Sequence, residues 1–112
     1  RHGIPEDADM VFDMRFVENP HWQPGLAPLT GLDEEVQQFL KASASFQDAM
    51  THITGLLKAA LPRFEAEGRP KFSIAVGCTG GRHRSVCTAV LLGEMITALG
   101  YTAAVNHREI KA

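Results

Sequence analysis

The chain has 112 residues and a mass of 12.2 kDa, enough for one domain and too short for two independent cores. Hydrophobic residues make up 45% and charged residues 21%, values that argue against disorder, and no apolar run approaches the roughly 18 residues of a membrane span. A net charge of -2 and a pI of about 6.2 exclude a surface built throughout for nucleic acid, though not a local basic patch.

Residues 1–8 read as a leading arm. Met10–Phe16 predicts a strand, with Phe12, Met14 and Phe16 alternating against Asp13 and Arg15. Glu18–Gly31 holds Pro20, Pro24, Gly25, Pro28 and Gly31, a density of breakers that predicts a long loop without helix or strand. Long loops inside a compact domain are often functional. Thr30-Gly31-Leu32-Asp33-Glu34 signals a helix start, and a short helix to about Leu40 follows. Ser45–Glu67 carries a helical apolar stripe of Phe46, Ala49, Met50, Ile53, Leu57, Ala60, Leu61 and Phe64, with Pro62 expected to kink it or split off a last turn. His52 lies beside that stripe and reads as structural.

Phe72–Gly77 is a short apolar run typical of a buried parallel strand. Cys78–Arg84 is a tight glycine-containing loop, and Ser85–Leu99 predicts a largely buried helix stopped by Gly100. Tyr101–Asn106 is expected as a last strand. The order β, long loop, α, α, β, tight loop, α, β implies an α/β domain with a mostly parallel small sheet and packed helices.

Two cysteines, Cys78 and Cys87, stand nine positions apart, which excludes a disulfide scaffold and fits a reducing cytoplasm. No signal-peptide pattern is present. The five histidines and two cysteines show no metal-ligand spacing, so no metal is expected. The chain opens at Arg1 rather than methionine, and a fragment of a longer protein is expected.

The segment Gly77-Cys78-Thr79-Gly80-Gly81-Arg82-His83-Arg84-Ser85 is the most informative. It joins a predicted strand to a predicted helix, the place where open α/β sheets bind ligands. The helix start offers unpaired N–H groups and a partial positive charge, both suited to phosphate. Gly80 and Gly81 allow the backbone to fold its amides into an anion nest. Thr79 and Ser85 add hydroxyls, His83 a ring donor and Arg84 a bidentate fork. The spacing Cys78-x5-Arg84 followed by Ser85 also resembles the signature loop of cysteine-dependent phosphatases, which keeps a second reading open with Cys78 as nucleophile. Against it, Gly77 stands where those enzymes carry histidine, and no acid loop is evident. Cys78 reads equally as a small buried hydrophobe or a thiol beside an anion, and Cys87 as core. Neither a Walker A loop nor Gly-x-Gly-x-x-Gly is present.

Residues 7–16, Asn19-Pro20-His21-Trp22, Thr30-Gly31-Leu32-Asp33 and residues 77–86 together resemble the C-terminal domain of the RapZ RNase adapter family, also known as P-loop nucleotide-binding proteins. The resemblance spans nearly the whole chain, and four motifs stand in one order. It implies a phosphofructokinase-subdomain-like fold that senses an amino-sugar phosphate, glucosamine-6-phosphate. It also implies binding of small regulatory RNA, an endoribonuclease and a two-component signalling pair, with assembly as a homo-oligomer. ATP or GTP would belong to an N-terminal kinase-like domain absent from this chain, so no cofactor and no catalysis are expected here, nor any membrane contact. Carried onto this sequence, the ligand residues are Asp13, Arg15, Asn19 and His21 with Thr79, Gly80, Gly81, His83, Arg84 and Ser85. Asp13 would accept from a sugar hydroxyl or pair with the amine, and His21 would close the site. The simpler alternatives are an Asp13–Arg15 pair on the strand's polar face and a His21-Trp22 packing anchor. His107, Arg108 and Lys111 would supply the RNA-binding tail, although Glu109 interrupts its charge.

Overall fold

The computed structural model describes residues 8–69, 71–77 and 83–105. Two strands, β1 (Met10–Asp13) and β2 (Ile74–Gly77), pair in parallel, with Met10 opposite Ile74 and Asp13 opposite Gly77. Among the described residues three α-helices pack with them in an α/β arrangement: α1 (Glu34–Lys41), α2 (Ala44–Ala66) and α3 (Arg84–Ala98). The register sets the carboxyl ends of both strands side by side, and Met14 N–H extends the pairing to the Gly77 carbonyl at 2.7 Å.

The core is the apolar stripe of α2, with Phe46, Ala49, Ile53, Leu57 and Leu61, closed by Val36 and Leu40 of α1, Cys87 and Leu92 of α3, and Met14, Val17 and Leu26 from the first loop. Ser43 caps α2 by accepting from Phe46 N–H and donates its own hydroxyl to Glu18 Oε1 at 2.7 Å. Gly100, at φ +101°, ends α3 in a Schellman motif, with Tyr101 N–H on the Ile96 carbonyl and Gly100 N–H on that of Thr97.

Four expectations change. β1 stops at Asp13, because Val17 N–H turns back onto the Met14 carbonyl at 3.1 Å, and Phe16 swings out to 66% exposure. The 19–31 region is not wholly irregular: Pro20–Trp22 forms one 3-10 turn, with Pro20 at the helix start where its missing N–H costs nothing. α2 runs through Pro62 to Ala66 without splitting off a last turn, with the Pro62 ring exposed and Leu57 and Leu61 beside it holding the helix to the core. Residues 101–105 form no strand; Val105 instead lies against Gly93 of α3, whose missing side chain makes room for it. Asn106 is outside the described residues.

Candidate functional site

The site region lies at the carboxyl edge of the β1–β2 pair, where the first loop leaves β1 and α3 begins. Gly31 brings these parts together. A Cβ there would overlap the backbone nitrogen of Cys87 and the carbonyl oxygen of His83, and would lie 2.9 Å from Val86 Cβ. Only glycine lets the loop pass directly against the first turn of α3.

Arg84, the first residue of α3, is 3% exposed. Its NH1 group donates to the carbonyls of Arg15 and Val17, each at 2.9 Å, which ties the helix start to the strand exit. Its Nε–H is buried and has no hydrogen-bond partner among the described residues. No carboxylate among the described residues pairs with it. A guanidinium stays charged at any ordinary pH, and burying it without a counter-charge is costly. The positive end of the α3 dipole carries the same sign. His83, 6% exposed, precedes it and gives the helix no side-chain cap. Its Nε2 lies 3.1 Å from the Leu26 carbonyl, and a carbonyl only accepts, so Nε2 carries the proton. Ser85 is buried in the same turn and is itself engaged.

Asp13 and Arg15 pair directly, as the simpler alternative had it. Arg15 Nε donates to Asp13 Oδ1 and Oδ2 at 2.9 and 2.8 Å, and its NH2 to Oδ2 at 2.6 Å. Hydrogen bonding to Asp13 also raises the Arg15 pKa above its ordinary value. Asn19 Oδ1 accepts from His21 N–H at 3.0 Å, so the amide caps the 3-10 turn, while His21 meets Trp22 edge to face at 4.8 Å. Both aromatic rings are exposed, so this pair does not act as a packing anchor.

The structure thus joins Arg84 to the Arg15–Val17 backbone and His83 to the Leu26 carbonyl. The sequence carries no signal for the latter contact or for Gly31 as a spacer, since neither a backbone acceptor nor a close approach marks it. Cys78, Thr79, Gly80 and Gly81, and with them the alternative nucleophile, lie outside the described residues, as do His107, Arg108 and Lys111. Cys87 is buried in the core, and desolvation pushes its thiol up to about 11. Among the described residues no helix is long and apolar enough to cross a membrane.

Known proteins resemble the chain along almost its full length. It is 49% identical over 110 residues to a nucleotide-binding protein of Rhodospirillum centenum, covering 98% of this chain and 33% of that one. It is 45% identical over 111 residues to a nucleotide-binding protein of Rhodospirillum rubrum, covering 99% and 35%. With a nucleotide-binding protein of Symbiobacterium thermophilum it shares 46% identity over 110 residues, covering 98% and 36%. The chain therefore spans about a third of the length of these relatives. A family model described as the RapZ C-terminal domain matches residues 1–111, and the chain belongs to that family.

Proposed function

We propose that this regulatory domain of the RapZ family binds a phosphorylated small molecule, an amino-sugar phosphate such as glucosamine-6-phosphate, at the start of α3. One observation supports the reading: the buried Arg84 guanidinium, with neither a partner at Nε nor a carboxylate among the described residues, on the first residue of a helix with no side-chain cap. An anion there would neutralise both charges of like sign. Thr79, Gly80 and Gly81 would add amides and a hydroxyl, in the manner of a phosphate-binding loop. Asp13, held by Arg15, would take the sugar amine or a hydroxyl, with Asn19, His21, His83 and Ser85 around it. The adapter role, with RNA, an endoribonuclease, a two-component pair and a homo-oligomer as partners, draws its support from the family alone. Nucleotide binding, which the relatives' names state, would belong to the remainder of a longer protein, and this domain would need no cofactor.

Isothermal titration with glucosamine-6-phosphate, with glucosamine as control, tests the ligand. Binding of the phosphosugar, none of glucosamine, and at least about tenfold weaker binding by Arg84→Lys are expected, since a charge-assisted hydrogen bond contributes about 1.5–3 kcal/mol. No heat from the phosphosugar, or an unchanged affinity in Arg84→Lys, would refute the reading. A gel shift at low salt tests RNA separately, because phosphate contacts weaken as salt rises.

A further inference from the structure

A groove of about 300 Å³ opens between the end of β1 and α2, with Phe12, Met14, Phe16 and Ile53 in its lining. Phe16 reaches it because the chain turns after Asp13, which leaves an aromatic ring largely in solvent. The ionisable side chains lining the groove, Asp13, Asp48 and His52, each have an atom that can accept. His52 Nδ1 lies 2.7 Å from the Asp48 carbonyl, so Nδ1 carries the proton of the neutral ring and Nε2 keeps a lone pair. The Asp48 carboxylate takes no hydrogen bond or ion pair among the described residues, and Asp13 is already held by Arg15. An apolar floor with an acidic, accepting wall matches an apolar group bearing positive charge, and it disfavours phosphate.

We propose that this groove docks a segment of a partner protein in which an apolar side chain stands beside an arginine or lysine. The apolar group packs on Phe12, Phe16 and Ile53, and the cation meets Asp48 and His52. Its volume suits two or three side chains, an anchor rather than a whole interface. The groove shares Asp13 with the proposed ligand site, but its docking contacts, Phe12, Phe16, Ile53, Asp48 and His52, are not among that site's residues, so the proposal stands if that reading fails.

The test is a two-dimensional NMR titration of the isotope-labelled protein. The probe is acetyl-Gly-Leu-Phe-Arg-Leu-Gly-amide, and its counterpart has glutamate in place of arginine. The arginine peptide is expected to move the amides of residues 12–16 and 48–53. The glutamate peptide, and the arginine peptide on Asp48→Lys, should each bind roughly fivefold more weakly, the scale of one exposed ion pair lost. Asp48→Asn, the milder change, should weaken binding in the same direction. Equal binding of both peptides, shifts confined elsewhere, or equal shifts from free arginine amide would overturn the proposal.

Discussion

At the scale of single residues, Arg84 has two duties that pull on different terms of the energy. Its NH1 satisfies two backbone carbonyls of the first loop, and its buried Nε has no partner among the described residues. Arg84→Ala strands those carbonyls and opens a void, so urea unfolding should show a loss of about 2–4 kcal/mol, and the gap to wild type should widen when phosphosugar is added. Cys87 makes the opposite kind of prediction. Desolvation raises its thiol to about 11, so in the native protein iodoacetamide at neutral pH should leave it unmodified until the chain unfolds. Because the folded value lies above the ordinary one, this thiol favours folding fully below about 9 and loses that contribution as pH rises towards 11. The order of residue types at the α3 start offers candidate anion donors, a role that the titrations above test. What Arg84 does with NH1 was not legible in the sequence, because its acceptors are main-chain oxygens of Arg15 and Val17, and any sequence supplies a carbonyl at every position.

At the scale of elements, two contacts hold the frame of the site. Gly31→Ala sets a methyl against backbone atoms of α3 that cannot turn aside, so a loss of about 1–3 kcal/mol is expected by denaturant unfolding, with weaker phosphosugar binding as α3 is pushed from the loop. At the other end of the strand pair, Asp9 accepts from Ser73 N–H at 2.7 Å and from Arg69 NH2 at 2.6 Å. The Ser73 bond first, then Arg69, holds its carboxyl below the ordinary 3.8. Its contribution is therefore present above that value and fades as pH falls through the lowered one, so the stability difference between wild type and Asp9→Asn should shrink on acid titration. The helices were legible because burial recurs with the helical period, as at Phe46, Ile53, Leu57 and Leu61 of α2. The strand limits were less so: the alternation runs on to Phe16, but a turn-closing bond from Val17 to Met14 outweighs it. Tyr101–Val105 has strand-like residues and no strand, because pairing depends on a neighbour that local pattern does not report.

At the scale of the molecule, the parallel pairing sets the exit of β1, the first loop and the start of α3 at one edge, which is where α/β sheets take ligands. Positive charge is scarce in this mildly acidic chain, and Arg82–Arg84 is one of its few concentrations. It includes a buried cation with no counter-ion among the described residues, so the domain should gain stability on binding an anion there. Thermal unfolding against glucosamine-6-phosphate measures this most directly. At ten times the dissociation constant the linkage is about 1.4 kcal/mol, so the midpoint should rise by roughly 5 °C in wild type, much less at the same concentration in Arg84→Lys, and not at all with glucosamine. A midpoint that stays still with the phosphosugar, or rises equally with glucosamine, would contradict the account.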